Sequence, residues 1–445
     1  MFTDDVQAPS FYPEEFYASY LSNLSKERRP SPIRSLYPLE LRPNMISLLA
    51  GKPNPSSFPF TSFSFTARSP TDPSSETSCT IDGQELASAL QYSATSGIPQ
   101  LLEWLTGLQT TFHGRKKGEG WRISVGAGSQ DLLYKAFHCL VNDGDPILIE
   151  SPVYAGVLPI FQSLHCKLVE IETDAEGIRA DSLRTILTNW PKDKSKPRVL
   201  YTVPYGCNPT GMTASTARRT EVLKLAREHN ILILEDDPYF YLYFGSNSRP
   251  PSYFALEAQL GGTVGNVLRF DSVSKILSAG IRVGFVTGPE PLLRAIDMHT
   301  ATANLQVSSL TQIIVYNLLA SWGYEGFKKH TEQVSEIYLA RRDAFETAMK
   351  KHLTGLAEWV APEAGMFFWF KLLIPSSEGA PEGDSEELIR TKALENGVLA
   401  LPGTAFIPND RKTAYVRASF SLLEEKDVNE ALRRLAEVVK QAQSA

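Results

Sequence analysis

Lys275 stands in the run Ser272-Val273-Ser274-Lys275-Ile276-Leu277-Ser278-Ala279-Gly280-Ile281-Arg282-Val283-Gly284, one amine among small hydroxyls with a guanidinium shortly after it. Burial and nearby positive charge lower the pKa of a lysine, and a neutral amine can form a Schiff base with an aldehyde. Ser272, Ser274 and Arg282 add short hydroxyls and a planar fork that matches phosphate oxygens. The run therefore fits a phosphorylated, aldehyde-bearing cofactor. Taken alone, it fits a surface loop with a solvated lysine better. Further segments ask for the same ligand.

In Tyr201-Thr202-Val203-Pro204-Tyr205-Gly206-Cys207-Asn208-Pro209-Thr210-Gly211 an apolar run enters a Gly and Asn-Pro turn. This puts Asn208 at the carboxyl end of a strand, where open α/β sheets bind ligands; an ordinary Asn-Pro turn reads equally well. In Ile231-Leu232-Ile233-Leu234-Glu235-Asp236-Asp237-Pro238-Tyr239 apolar residues deliver carboxylates to a strand end. One carboxylate there can pair with a protonated ring nitrogen and make a pyridine an electron sink, with Tyr239 reaching the ring hydroxyl. A helix cap or a metal cluster is the alternative, and no His or Cys lies near enough in sequence to favour a metal. Ser124-Val125-Gly126-Ala127-Gly128-Ser129-Gln130 precedes a helical run and offers free N–H groups and a helix dipole to an anion. Many strand–turn–helix junctions look the same, and the glycine spacing is neither a dinucleotide fingerprint nor a P-loop. Arg417, in Tyr415-Val416-Arg417-Ala418-Ser419-Phe420, is the one cation of an otherwise apolar or small strand. It asks for a carboxylate, either from a substrate or from a structural Arg–Asp pair.

The elements that must position these groups alternate along the chain. Short apolar runs at 122–125, 146–150, 198–203, 231–235, 267–270 and 283–287 are separated by helical patterns such as 131–141 and 217–229. Such alternation predicts an α/β fold with a buried, mostly parallel sheet. A long helical stretch at 310–352, strands at 358–360, 366–371 and 415–419, and a closing helix at 425–442 predict a smaller α+β domain. Residues 1–45 read as an arm with a short amphipathic helix around 14–24, and residues 68–82 and 375–384 read as polar, Pro-broken loops.

The 445 residues, 42% of them hydrophobic, can bury a large core in roughly two or three domain-sized units. A net charge of -6 argues against a nucleic-acid scaffold. No apolar stretch has membrane-spanning length, Met1–Asp5 lacks the order of a signal peptide, and Gln443-Ser444-Ala445 is not a peroxisomal address. Cys79, Cys139, Cys166 and Cys207 show neither C-x-x-C spacing nor a disulfide pattern, so they read as reduced thiols of a cytoplasmic protein with no metal site.

Taken together, the segments resemble class I aminotransferases of the pyridoxal-phosphate (PLP) superfamily with the aspartate-aminotransferase-like fold, fold type I. Within that class they are most similar to kynurenine/alpha-aminoadipate aminotransferases and fungal aromatic amino acid aminotransferases. Further matching stretches are Ser31-Pro32-Ile33-Arg34, Met45-Ile46-Ser47-Leu48, Gly51-Lys52-Pro53-Asn54-Pro55, Ala89-Leu90-Gln91-Tyr92-Ser93, Ser96-Gly97-Ile98-Pro99, Ala364-Gly365-Met366-Phe367 and Leu401-Pro402-Gly403. The resemblance covers about residues 29–440 and implies an arm with part of the small domain (1–83), a large PLP-binding domain (84–318) and a C-terminal small domain (319–445).

The resemblance also implies roles. Lys275 holds PLP as a Schiff base and then moves the alpha proton. Asp236 pairs with the pyridine nitrogen, Asn208 and Tyr239 bond the ring oxygen, and Tyr154 stacks on the ring, although a core tyrosine is the plainer reading of Tyr154. Ser129, Gln130, Ser272, Ser274 and Arg282 surround the phosphate, and Tyr92 reaches it from the other subunit of a homodimer. Arg417 grips the substrate carboxylate. Arg34, Gly51 and Asn208 line the substrate side under an N-terminal arm that acts as a mobile lid. Lys52, Tyr205 and Cys207 depart from the family's pattern and are expected near the substrate mouth. The activity implied is transfer of an amino group from Phe, Tyr, Trp, kynurenine or 2-aminoadipate to a 2-oxo acid such as 2-oxoglutarate. A PLP-dependent lyase, decarboxylase or specialised-metabolite enzyme could use the same apparatus. An aminotransferase-like regulator would need a DNA-binding domain, for which the arm before Met45 is too short.

Overall fold

The computed structural model describes residues 10–444 except 41, 50, 73, 377, 378 and 410; Met1–Asp5 and Ala445, considered above, lie outside the described residues. The chain packs as two compact units. One holds the residues up to Asp145 together with Ser252–His330, and the other holds Pro146–Pro251 with Thr331–Ala445.

In the first unit the strand Gly284–Pro289 lies between Trp121–Gly126 and Val267–Ser272 and is antiparallel to both. These strands are buried almost throughout, as their continuous apolar runs require. Helices Pro99–His113, Ser129–Leu140 and Glu290–Ala303 belong to the same unit and bury their apolar stripes. The helix Ser309–Leu353 is broken at Gly323, whose φ of 62° and ψ of -177° are not helical.

Two expectations fail in this unit. Residues 68–82 are not one loop, because Glu76–Asp82 pairs antiparallel with Ser62–Arg68. Side-chain exposure alternates along both strands, and hydroxyl pairs such as Ser64 with Thr80 (3.1 Å) cross between them. The polar residues that suggested a loop form the exposed face of a hairpin. The N-terminal segment is also not a loose arm. Ser10–Phe11 pairs with Thr263–Val264, Tyr17 and Tyr20 are buried, and the Ser22 hydroxyl donates to the His138 carbonyl (2.8 Å). The expected helix at 14–24 is two short ones, Glu14–Ala18 and Asn23–Glu27, since Ser22 takes an extended conformation and caps the second.

In the second unit Leu232–Asp236, Val199–Thr202, Pro146–Ser151 and Lys167–Asp174 lie side by side in that order, all parallel, and Gly177–Ile178 adds an antiparallel edge. The parallel core of the sheet thus lies in this unit, while Trp121–Gly126, Val267–Ser272 and Gly284–Pro289 of the first unit pair antiparallel. A second, antiparallel sheet runs Ala357–Trp359, Phe367–Leu372, Tyr415–Ser419, Leu401–Pro402. Phe368, Phe370, Leu372 and Val416 point into a core closed by Leu432, Leu435 and Val439 of the helix Glu425–Ser444 and by Phe345 and Met349. Among the described residues no helix is long and apolar enough to cross a membrane.

Gly206 and Gly365 meet backbone to backbone in this unit. A Cβ on Gly206, at φ 50°, would stand 2.5 Å from the Ala364 carbonyl carbon, and one on Gly365, at φ 81°, would stand 2.7 Å from the Gly206 oxygen. Neither neighbour is a side chain that can turn aside. Gly206→Ala is expected to cost about 2–4 kcal/mol by combining left-handed strain with overpacking. A melting temperature equal to that of the unsubstituted protein would show that the two chain segments can part.

Candidate active site

In the first unit Lys275 lies on the connection between the antiparallel strands Val267–Ser272 and Gly284–Pro289, which is folded into two short turns, Val273–Lys275 and Ala279–Ile281. The Ser272 hydroxyl opens the first turn by accepting from the Ser274 N–H (3.3 Å). Lys275 is half-buried, and its amine is pushed below the ordinary lysine range, first by burial and then by Arg282. Arg282 sits at φ 51° and donates to Ser274 Oγ (3.2 Å), the Ala279 carbonyl (3.3 Å) and the Ala127 carbonyl (3.0 Å). These acceptors are neutral, and among the described residues no carboxylate pairs with Arg282. Its guanidinium occupies the space that a Cβ on Gly128 would need. Gly284 lets the strand approach Ser129, whose N–H would be 2.6 Å from an added Cβ. Ser129 and Gln130 begin the helix Ser129–Leu140, so the positive end of its dipole lies on the side that carries Arg282. Asp131, in the same turn, is neutralised by Lys135 at 2.9 Å.

Arg34, Gly51 and Tyr92 belong to this unit as well. Arg34 donates to the Ser93 carbonyl (3.2 Å), Thr95 Oγ1 (3.0 Å) and Gln306 Oε1 (3.3 Å), so the segment around it is tied down. Gly51 and Tyr92 are exposed. Lys52 pairs with Glu40 (2.7 Å) and lies over the Tyr37 ring (4.8 Å). Its hydrogen bond, with that of Ser47, holds the Glu40 carboxyl below its usual range.

In the second unit Asp236 ends a strand and is buried. The Tyr201 hydroxyl donates to Asp236 Oδ2 at 2.8 Å. Tyr201 was missed by the sequence reading, although strand periodicity points to it. Tyr201 pairs with Leu234 across parallel strands, and residues two apart share a face, so Tyr201 and Asp236 project to the same side. Tyr154 follows the strand Pro146–Ser151, and its hydroxyl is pushed up by burial and then by the Asp236 charge, with Arg417 opposing. Tyr239 is buried, its ring set edge-on to Phe367 at 6.3 Å, and burial likewise raises its hydroxyl.

Arg417 Nη1 donates to Asn208 Oδ1 at 2.9 Å, and the guanidinium lies over Phe367 (4.2 Å) and Phe406 (5.1 Å). Its buried Nε has no hydrogen-bond partner, and no carboxylate pairs with it among the described residues. The alternative of a structural Arg–Asp pair is therefore not what the strand contains. Among the described residues no three His, Cys, Asp or Glu side chains group as metal ligands.

Tyr205 and Cys207 do not stand at an open mouth, contrary to expectation, because both are fully buried. The Tyr205 hydroxyl donates to the Pro250 carbonyl and its ring lies under Arg219 at 3.9 Å. Arg219, also buried, donates to the Pro204 (2.7 Å) and Ala214 (2.8 Å) carbonyls and so clamps both ends of the loop that presents Asn208. Glu150 accepts from the Val203 N–H (3.1 Å), the Thr202 hydroxyl and the Cys207 thiol (3.6 Å). Arg219 and Glu150 escaped the sequence reading because a lone charge on a helix or strand gives no sign of burial.

Burial is the largest influence on Glu150 and raises its carboxyl. A folded-state value above the unfolded one means that the folded protein binds the extra proton. That contribution to stability is complete below about pH 4.3 and is lost as pH rises through the raised value. Glu150→Gln removes the dependence, so the melting temperature of the variant relative to the unsubstituted protein is expected to improve as pH rises above about 4.3, until the raised value is passed. A difference that stays flat, or that turns against the variant over that range, would contradict this account of Glu150.

The residues present fit PLP. Half-buried Lys275 supplies an amine, Arg282 supplies positive charge that no carboxylate pairs among the described residues, and Arg417 of the other unit is a second cation with no carboxylate partner among them. Comparison with known proteins agrees. The model of the family "Aminotransferase class I and II" matches residues 82–435. "Aminotransferase tdiD" of Emericella nidulans is 43% identical over 92% of this chain and 93% of that protein. The mouse "Kynurenine/alpha-aminoadipate aminotransferase, mitochondrial" is 38% identical over 96% of this chain and 99% of that protein. The crystal structure of aminotransferase Aro8 from Candida albicans superposes with a TM-score of 0.87 over 98% of this chain and 100% of that one, at 23% identity, and so speaks for the fold. The chain belongs to the class I and II aminotransferases and is a PLP-dependent enzyme with the aspartate-aminotransferase-like fold type I.

Proposed function

We propose that the enzyme moves the amino group of an aromatic or long-chain amino acid (Phe, Tyr, Trp, kynurenine or 2-aminoadipate) to a 2-oxo acid such as 2-oxoglutarate. The observation that carries this reading is Arg417, a cation without a carboxylate partner, set against Phe367 and Phe406 and aimed by Asn208. One arginine that fixes the alpha-carboxylate leaves an apolar surround for the rest of the substrate. The names of the kynurenine/alpha-aminoadipate and aromatic amino acid aminotransferases among its relatives point the same way.

PLP supplies an aldehyde for the amino group and a protonated ring that takes up electrons. The chain's residues divide the remaining work. Lys275 holds the cofactor and, once released, carries the alpha proton. Asp236, oriented by Tyr201, keeps the ring nitrogen protonated. Asn208 and Tyr239 bond the ring oxygen, and Tyr154 covers the ring. Ser129, Gln130, Ser272, Ser274 and Arg282 take the phosphate. Arg417 holds the carboxylate, with Arg34 and Gly51 on the substrate side. The division into a PLP-binding domain over 84–318 and a smaller domain over 319–445 is part of this reading.

A homodimer with Tyr92 reaching the other subunit's phosphate, and a cytoplasmic location, belong to it too. Exposed Ile33, Leu36, Met45, Ile46, Leu48 and Phe60 support a subunit interface, with Ile46 at 89% and Leu48 at 99% exposure. Four free thiols support a reducing compartment.

The test is the visible spectrum of the purified protein. A yellow band is expected to bleach with phenylalanine alone and return with 2-oxoglutarate. A band that forms without cycling would reject transamination of this substrate class, and no band after adding PLP, with Lys275→Ala behaving alike, would reject the assigned lysine. Arg417→Gln should lower kcat/KM for phenylalanine by about 10- to 150-fold, since a charge-assisted bond is worth roughly 1.5–3 kcal/mol. An unchanged kcat/KM would remove Arg417 from the carboxylate site.

A further inference from the structure

His330, on the helix Ser309–Leu353, places Nε2 at 2.6 Å from the carbonyl oxygen of Ile276, the residue that follows Lys275. A carbonyl only accepts, so Nε2 carries the proton of this bond. The N–H groups on this side of the loop are already committed, those of Ile276 (3.2 Å) and Leu277 (2.8 Å) both donating to the Val273 carbonyl. The loop is therefore closed upon itself through its donors, and His330 takes an acceptor beside Lys275.

The imidazole is held in its turn. Trp322 lies against it with ring centroids 4.7 Å apart and 36° between planes. Residues eight apart in an unbroken α-helix stand about 12 Å apart along the axis, too far for ring contact. Gly323 supplies the break that brings the two rings together. Gly326 then leaves room for the indole, since a Cβ there would lie 3.0 Å from Trp322 Cβ and 3.2 Å from Pro70 Cγ.

We infer that His330, braced by Trp322, is a positioning residue for Lys275, fixing the Ile276 carbonyl and with it the place of the amine. This rests on the reading that Lys275 carries the cofactor. The same amine must bond the cofactor, leave it and then meet a proton on the substrate, and a misplacement of about 1 Å can cost on the order of 100-fold in rate. Beyond the turn that holds Lys275, Ser278, Ala279 and Gly280 are exposed, so His330 is a contact from outside the loop on its buried side.

The test compares His330→Leu with His330→Gln in the PLP-loaded protein. Leucine keeps bulk and removes the donor, while glutamine keeps an N–H of similar reach. Three quantities are read: the pH titration of the visible band without substrate, the rate at which phenylalanine bleaches it, and the melting temperature. The leucine variant is expected to shift the titration midpoint by about half a pH unit or more and to slow bleaching roughly 10-fold, and glutamine to restore most of both. A leucine variant that titrates and bleaches like the unsubstituted enzyme would overturn the inference, whatever its melting temperature, because packing alone would move only the last quantity. If leucine prevents folding, His330→Asn, too short to reach the carbonyl, takes its place: the same shift and slowing are expected, and their absence overturns the inference equally. Borohydride reduction of the unsubstituted protein followed by peptide mapping separates the two levels. Label on Lys275 with no effect of His330 rejects this inference alone, whereas label elsewhere rejects the reading beneath it.

Discussion

Cations without carboxylate partners are the constraint around which the site residues are arranged. A half-buried charge is costly unless something of opposite sign meets it. Half-buried Arg417 meets a neutral acceptor and aromatic faces, and exposed Arg282 in the other unit meets only neutral acceptors, among the described residues. The three hydrogen bonds of Arg282 are worth less than one bidentate carboxylate would be, and the Nε of Arg417 is left without any. A fold that keeps such groups must gain elsewhere, and a bound dianionic phosphate and a substrate carboxylate are ligands that would compensate them. The depressed lysine follows first from its burial and then from Arg282, which disfavours a second positive charge beside it.

What holds these groups in place is a set of buried polar contacts among residues to which no ligand role is assigned. In the second unit Glu150 gathers the Val203 N–H and the Cys207 thiol, and Arg219 gathers the Pro204 and Ala214 carbonyls. The turn that carries Asn208 is thereby fastened from both sides, a carboxyl group taking its donors and a guanidinium its acceptors. In the first unit Asp271 receives Arg269 and Gln109 on the strand that leads to Lys275. Each pair satisfies groups that water would otherwise have to reach, so the buried charges serve geometry more than stability.

Much of this was legible in the sequence where chemistry and periodicity coincide. The strand Leu232–Asp236 ends at the carboxylate that its apolar run promised, and Tyr415–Ser419 has the bounds expected of it. Lys275 and Arg282 were readable as a pair because both lie on one short connection. Pairing direction was not readable: an apolar run between helices looks the same whether its neighbour is parallel, as at Val199–Thr202, or antiparallel, as at Gly284–Pro289. The hairpin over Ser62–Asp82 was hidden by its exposed face, and Tyr205 and Cys207 were misplaced because a turn residue gives no sign of which way it points. Tyr201 could have been found by counting faces; Arg219 and His330 could not, since their hydrogen bonds go to backbone carbonyls, which every residue supplies.

The missed residues share a property that explains why they were missed. Arg219, Glu150 and His330 bond backbone groups or a neutral side chain, and any sequence supplies carbonyls and N–H groups in every residue. Residue types therefore reveal a site's reactive groups, whose chemistry is scarce, but not its supports, whose partners are everywhere. The supports still carry much of the specificity of placement. Asn208 can orient Arg417 only while its turn is held, and the Lys275 amine can serve both a bond and a proton only from one position. Removing a reactive group abolishes a step, whereas removing a support leaves every reactive group present and displaces it. The two kinds of residue are for this reason best told apart by spectra and partial reactions, which register displacement, and less well by loss of turnover, which registers both.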